Sequence, residues 1–591
     1  MKTSTSSFQY HPKSEQLSEI PECEIVDFLS KFDNCSTSQN VTVNTLKTAL
    51  VLHVTRNGIY SFYTRKDDTI ELVKIKKDDF PHIFQSQKAV IIHNLQNSLK
   101  VTRNGVDEVL EYFSHNRFVF DTFIGAAVLD PGSIDELTFN QICVKHECVI
   151  VDDNTQSVLL RIRDLAMKEF CEMESHQMTK VFFEQETMIS GILIQLNMQT
   201  KFRLDLELLF NQRRLLLMRK EELGVESRKV LNKTINLASA AQVKRELNKL
   251  GFQTDGTKLK GTTSKNVLEQ IDHPFAKIVL EHRKVGKILS DIDSLKGCGV
   301  KIGDEMYITA TWNQTKVVTG RIQSIHPNLQ QINKLSFVMP KVELKARDLF
   351  ISEKGKTLAA LDYNQIELRI LADFTGDEHL VEFFKSGVDV HRMIASHWLK
   401  KKPETVTDEE RRRAKTIVYG CIYGIGPYSL ADELKVTVDE SKNFLKSFLE
   451  QFPSFEAWKK ETIKKAREVG FVYTLNNRRR RIFNLNSKDV KLVAEAERMA
   501  VNSPIQGSAA DIIKMCMIKV FHKTFEEWKG VTLLLNIHDE IVVEIPDEML
   551  KEVCVGLKNI MEHVVEMKVP LIVSVETGKK WGSLTTFEFD K

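Results

Sequence analysis

The chain has 591 residues, of which 42% are hydrophobic and 28% charged, a composition that excludes a disordered or fibrous polypeptide. At roughly 100–200 residues per domain, three to five domains are expected. The formal net charge is only +3, so a surface for a polyanion must come from local segregation of charge, not from the molecule as a whole.

In chain order, residues 1–45 are polar and lack sustained periodicity. The opening MKTSTSSFQYHPKSEQ has no secretory apolar core and reads as a disordered tail, with an organellar address as the alternative because it is Ser/Thr-rich and poor in acids. From Lys47 to Leu129 short β-type runs (TALVLHV, AVIIHN, RFVFDTF) alternate with polar stretches, which predicts a small α/β domain. The nine cysteines are scattered, and the closest two, Cys143 and Cys148, form no C-x-x-C pair. That pattern argues against a disulfide framework or a zinc site and for a reducing compartment. Residues 152–290 read as strongly helical, interrupted at 251–261 by a polar segment bearing Lys258 and Lys260. From Lys301 onward strands and helices alternate. No apolar run approaches the roughly 18 residues of a membrane span, so no membrane partner is expected.

Two segments concentrate carboxylates at strand ends. The apolar run Leu358–Asp362 ends in an acid, and Val531–Ile537 ends in His538, Asp539 and Glu540 before a second run, Ile541–Ile545. This predicts a β-hairpin with acids at its turn. Poorly solvated carboxylates repel one another unless a cation neutralises them. Two acids from separate strands suit a pair of Mg²⁺ ions, one lowering the pKa of an attacking hydroxyl and one stabilising a leaving pyrophosphate. Singly, each acid is more commonly a turn former or a helix cap.

Between them, Arg411, Lys415, Tyr419 and Tyr423 recur every fourth residue. At about 100° per residue they fall along one helical stripe, cations first and aromatics after, with Gly424 and Gly426 to end the helix. A triphosphate fits Arg411 and Lys415, aided by the helix N-terminus. A base fits near Tyr419 and Tyr423, and Lys415 is placed to protonate a leaving pyrophosphate.

Together, DYNQIELRIL from Asp362, RRRAKTIVYGCIYG from Arg411 and HDE at 538–540 resemble the three motifs of family A DNA polymerases, those like bacterial DNA polymerase I. Their order and spacing also match. The resemblance runs from about Glu184 to the end. It implies a right-hand polymerase, α/β and multidomain: thumb at 181–300, then palm and fingers at 301–591, with fingers at about 385–490. The substrates it implies are primer–template DNA and dNTPs, and the cofactor two Mg²⁺ ions, with Mn²⁺ as an alternative. It makes Asp362 and Asp539 metal ligands and Glu540 a support of the site. Arg411, Lys415 and His391 would contact phosphates, and Gln365 would line the nucleotide site. Tyr419 would pack on the sugar, where many relatives have Phe, and Tyr423 would sit near the templating base. Glu367 would be the steric gate against a ribose 2′-OH. Arg321, Asn328 and Gln330 resemble a primer–template-binding segment. Arg498, Asn502 and Gln506 resemble a palm helix on the template–primer, beside His538. Lys258 and Lys260 would charge the thumb tip. In TLNNRRRRIF, Asn477 takes a place that is Gly in the family, and Asn tolerates the left-handed backbone of that turn.

Residues 46–180 resemble, more loosely, the RNase H-like 3′–5′ exonuclease domain of such enzymes. LVLHVTR places His53 and Thr55, and HNLQNS places Ser98, where that domain has acids, while Asp153 keeps the last one. Without the carboxylates there is no site for two cations, so a remnant without proofreading is expected. With NLQQINKLSFVMP and SVETGKKWGSL, this looks most like the eukaryotic theta and nu branch, which implies a nuclear repair or translesion enzyme. The alternatives are a replicative polymerase of a virus or organelle such as the mitochondrion, and a catalytically dead DNA-binding scaffold.

Overall fold

The structure is a computed structural model. It describes residues 50–589 except 56–57, 65–69, 76–88, 94, 96–117, 132–138, 147–154, 253–262, 333–336, 340–341 and 388. Lys258, Lys260, Ser98 and Asp153 lie outside the described residues, as does the expected tail.

The N-terminal region forms a five-stranded mixed sheet from β1 (Leu50–Thr55), β2 (Gly58–Thr64), β3 (Ile70–Ile75), β4 (Ala89–Ile92) and β5 (Phe118–Asp121), in the order β3-β2-β1-β4-β5. The first three strands pair antiparallel, and β4 and β5 add in parallel to β1. Such parallel strands are buried on both faces and read as unbroken apolar runs, as AVII does. Asp121 ends β5 and caps α1 (Thr122–Leu129), its carboxylate accepting from the amides of Phe123 and Leu95. Helix α2 (Thr155–Ser175) packs against α1. His53 and Thr55 lie on β1, which pairs with β2 and β4.

A π-helical turn, Val181–Glu186, leads into α3 (Thr187–Met198), which is buried along most of its length. Two long helices follow, α4 (Leu206–Leu231) and α5 (Pro274–Cys298). Arg219 meets Glu281 and Arg213 meets Asp293. Partner numbers rise on one helix as they fall on the other, so the two run antiparallel.

The C-terminal half is built on a second sheet. Its centre is β6 (Lys356–Tyr363), followed by α6 (Ile366–Thr375), α7 (Val390–Leu399), α8 (Asp408–Ile422) and α9 (Pro453–Val469). A short hairpin, β7 (Phe471–Tyr473) and β8 (Arg479–Arg481), precedes α10 (Val490–Glu526). The chain then forms β9 (Thr532–Ile537), β10 (Glu540–Pro546), α11 (Leu550–Glu562), β11 (Val573–Gly578) and β12 (Thr585–Thr586). The sheet order is β9-β10-β6-β11-β12, antiparallel throughout. The predicted hairpin is therefore present, and β6 lies between β10 and β11. With 37 residues, α10 extends about 55 Å and packs against α3, α6, α9 and α11. One apolar cluster joins this sheet, α10 and the long helix pair.

Candidate active site

Strand register brings the predicted carboxylates together. Asp362, near the end of β6, pairs with Glu540 on one side and Ser574 on the other. Ile537 pairs with Glu540, which leaves His538 and Asp539 as a two-residue turn, with His538 at φ +55°. A positive φ at such a turn matches the right-handed twist of the flanking strands. The amide of Tyr363 donates to the Asp539 carbonyl at 3.3 Å, holding the turn against the end of β6. Burial pushes the Asp539 carboxyl up to about 6. Arg321, 4.0 Å away, opposes that rise, and the charges of Glu367 and Asp362 add to it. Glu540 is buried and does not line the cleft. It lies 3.8 Å from Arg347 and accepts from the Trp581 indole at 3.5 Å. The Arg347 guanidinium in turn sits 4.1 Å from the Trp581 ring centre. Glu540 is thus a support within the sheet.

Opposite the carboxylates, α8 presents its stripe as the four-residue spacing predicts. Arg411, Lys415, Tyr419 and Tyr423 all line one cleft of about 830 Å³, together with Asp362, Asp539, Glu367, Gln365, His391, Arg321 and His538. The Tyr419 and Tyr423 rings are nearly parallel, 24° apart, with centres 6.0 Å apart. The Lys415 ammonium is 6.0 Å from the Tyr419 ring centre. Gly424, at φ +68°, ends the helix. Gly426 instead caps the next helix, so the two glycines do different jobs.

One expectation for α8 fails. The helix begins at Asp408, not at the arginines, and its N-terminus is closed by a capping box between Thr407 and Glu410. With Asp408, Glu409 and Glu410 in its first turn, that end is already occupied and repels an anion. Any attraction for an anion at this wall must come from side chains alone.

Those side chains are held in place. Arg411 donates to Asp389 at 2.7 Å, and the same Asp389 caps α7 through the Arg392 amide at 2.9 Å. Asp389 was not singled out from the sequence, although an Asp just before a helix signals a cap. His391, on α7, is 1% exposed. Its Nδ1 lies 3.3 Å from the Gln365 amide, its ring is 5.8 Å from that of Tyr419, and its Nε2 has no partner. Burial lowers its pKa to about 4, with Arg411 and Lys415 adding to the effect and Asp389 opposing it, so the ring is neutral. Gln365 precedes α6 at φ +57°. Glu367, in the first turn of α6, is buried. Its two oxygens accept from Arg321 at 2.7 Å and from the Tyr423 hydroxyl.

The predicted DNA contacts divide. Arg498, Asn502 and Gln506 lie on α10, which continues through Pro504. Arg498 packs its stem against Gly424, and Asn502 donates to the Tyr423 carbonyl at 3.4 Å, so the upper part of α10 abuts the end of the stripe. Asn328 and Gln330, by contrast, are engaged within the fold. Asn328 accepts from the Gln330 amide at 3.1 Å, and the Gln330 side chain donates to the Ile322 and Asn536 carbonyls at 2.9 and 3.0 Å. They anchor their loop to β9, beside the carboxylate turn.

A buried charge cluster behind the cleft was not anticipated. Glu186, from the π-helical turn, meets Arg478 and, at 2.6 Å, Lys514, while Arg478 Nε donates to Asp511 at 2.8 Å. Thr474 and Gln185 also donate to Asp511. All four charges are buried. Burial lowers Lys514 to about 8 against the pull of Glu186. The Arg478 guanidinium lies so close to Gly320 that a Cβ there would stand 2.8 Å from Nε. Gly320 directly precedes Arg321, so the cluster supports the arginine that holds Glu367. Asn477 has φ +60°, the left-handed turn expected of it.

The sequence profile of DNA polymerase family A matches residues 207–583. DNA polymerase I of Lactococcus lactis subsp. lactis (strain IL1403) is 38% identical over 328 residues, 55% of this chain and 37% of that protein. The thermostable DNA polymerase I of Thermus aquaticus is 39% identical over 354 residues, 58% of this chain and 42% of that protein. The chain thus spans about two fifths of these relatives. Among solved structures, the polymerase domain of Pol1 from M. smegmatis, in complex with DNA primer-template and dNTP, matches with a TM-score of 0.79 and 26% identity, covering 95% of this chain and 98% of that one. These relatives are bacterial and lend no support to the theta and nu resemblance or to the nuclear location drawn from it. Because the profile covers well over half of its length, the chain belongs to DNA polymerase family A.

Proposed function

We propose that the chain is a template-directed DNA polymerase that adds deoxynucleotides to a primer 3′ end. One observation carries this reading. Asp362 and Asp539, side by side at strand ends, face the Arg411–Lys415–Tyr419–Tyr423 stripe across a single open cleft. The solved relative bound to primer-template and dNTP supports it.

The residues fit a divalent cation. Among the described residues no cluster of three or more His, Cys, Asp or Glu could hold a metal unaided. Two adjoining carboxylates, one of them with its pKa raised to about 6, suit Mg²⁺, or Mn²⁺ in its place, because such an ion completes its shell with phosphate oxygens and water. When bound, a pair of ions would acidify the primer hydroxyl and stabilise the leaving pyrophosphate. Asp362 and Asp539 would hold them.

The remaining steps belong to side chains. Arg411 and Lys415 bind the triphosphate, and the neutral His391, whose buried Nε2 has no protein partner, borders its phosphates. Lys415 supplies the proton that leaves with pyrophosphate. Tyr419 packs on the sugar, and Tyr423 borders the templating base. Glu367, pinned from two sides, occupies the space of a ribose 2′-OH and selects dNTPs. In this reading the antiparallel helix pair is the thumb, the C-terminal sheet the palm, and residues of about 385–490 the fingers.

Primer extension tests the proposal. Wild type extends a primed template with Mg²⁺ and dNTPs, and Asp539→Ala does not. Failure of the wild type to extend refutes it.

The repair reading without proofreading rests on the sequence at His53, Thr55 and Ser98. It expects that Asp539→Ala protein releases no 3′-terminal label from a mispaired primer. Release of that label would show a working exonuclease.

A further inference from the structure

Helix α4 has an outer face that its own chain leaves uncovered. Its buried residues, Leu209, Gln212, Leu216, Leu223 and Ser227, centre on one side at about 100° per residue. Phe210, Leu217, Met218 and Val225 fall on the opposite side, and they are 49%, 39%, 52% and 47% exposed. Scattered exposed apolar residues are ordinary, but large ones aligned along one helix face mark an interaction surface.

Charge on α4 divides in the same way. Away from the outer face, Arg213 meets Asp293, and Arg219 meets Glu222, Glu226 and Glu281. Glu207, Arg214, Glu221 and Arg228 share the outer face with the apolar residues, within a sector of about 100°. All four are exposed, and among the described residues none of them meets an opposite charge. Arg214 donates to the neutral Asn211 side chain of the same helix at 3.2 Å.

The order of these residues is symmetric about the point between Leu217 and Met218. Arg214 and Glu221 stand equally far from that point on either side, as do Phe210 and Val225, and Glu207 and Arg228. Apolar residues are matched with apolar ones, and each cation with an anion. A twofold axis at that point therefore lays the face antiparallel on a copy of itself, with each position opposite its complement. Leu217 meets the partner's Met218, Phe210 the partner's Val225, Arg214 the partner's Glu221, and Glu207 the partner's Arg228. From Glu207 to Arg228 the matched stretch is about 32 Å long. Antiparallel packing also sets each helix N-terminus beside the partner's C-terminus, which the helix dipoles favour. A parallel pair in register would instead oppose like charges.

We propose that the outer face of α4 is a homodimer interface, on which a second copy of the chain packs antiparallel about a twofold axis between Leu217 and Met218. This does not depend on the polymerase reading, because association is measured without nucleic acid. Sedimentation velocity of the full chain over about 1–100 µM, where an interface of modest size associates, tests it. The wild type shifts from monomer towards dimer as concentration rises. Arg214→Glu opposes glutamates at both crossings of position 214 with the partner's Glu221, and Glu221→Arg opposes arginines there. Each variant raises the dimer dissociation constant by at least about tenfold.

Mixed in equal amounts, the two variants pair with each other and recover the dimer, as does the double variant Arg214→Glu/Glu221→Arg. That recovery separates a lost contact from a damaged fold. A wild type that stays monomeric overturns the inference and leaves the face to another protein or to DNA. Single variants that associate as tightly as the wild type overturn it too. So does a mixture that fails to recover the dimer, because this register alone sets position 214 against position 221.

Discussion

At the scale of single residues, the site carries its own cost. Asp539 has a pKa of about 6, raised from 3.8 chiefly by burial. A raised carboxylate binds its proton more tightly in the folded chain than in the unfolded one. Stability therefore declines as pH rises from about 3.8 to about 6, and the loss persists above that window. Asp539→Asn removes the loss. In the presence of a chelator at about pH 7, that variant should melt higher than wild type, although it should not extend a primer. Equal or lower melting would show that burial does not strain this carboxyl. Under the proposed function the same protonation would set cation binding, because a ligand carboxylate must be ionised. Apparent Mg²⁺ affinity should fall about tenfold per pH unit below about 6, as read by calorimetric titration.

At the scale of elements, the turn after β7 tests how far backbone geometry decides a residue. Asn477 sits at φ +60°, a conformation that glycine adopts freely and that a β-branched residue resists by about 1–2 kcal/mol. Asn477→Gly should leave urea stability within about 0.5 kcal/mol, and Asn477→Val should lower it by about 1–2 kcal/mol. Equal losses would mean that the Asn side chain, and not the turn, matters. This turn was legible in the sequence because its strain is local to one residue. The stripe on α8 was legible for a similar reason, since four residues at one spacing define a face whatever surrounds them. The acid-rich first turn of α8 defeats the expected help of its N-terminus to a triphosphate, although Thr407 and Glu410 spell a capping box in the sequence. The roles of Asn328 and Gln330 depend on which carbonyls the folded loop meets, such as that of Asn536, more than 200 residues away. No local pattern reports that.

At the scale of the whole molecule, two buried contacts join distant parts. Arg479 donates to the Leu129 carbonyl and to Glu172, both at 2.9 Å, and so ties the β7–β8 hairpin to the N-terminal α/β region. The Glu186–Arg478–Asp511–Lys514 cluster ties the π-helical turn to α10. Removing one partner from a buried set leaves its neighbour's charge uncompensated, at a cost of about 3–5 kcal/mol. Glu186→Gln should therefore lower urea stability by about that much, and a loss below about 1 kcal/mol would show that the remaining carboxylate, Asp511, compensates both cations. The balanced charge of this cluster also bears on recombination. Its members come from three stretches of chain, around residues 186, 478 and 511–514. A hybrid joined to a relative anywhere between 187 and 477 takes Glu186 from one parent and Arg478, Asp511 and Lys514 from the other. Crossovers there will succeed only between parents that match at both sites, whereas a junction upstream of 181 or downstream of 514 leaves the set whole.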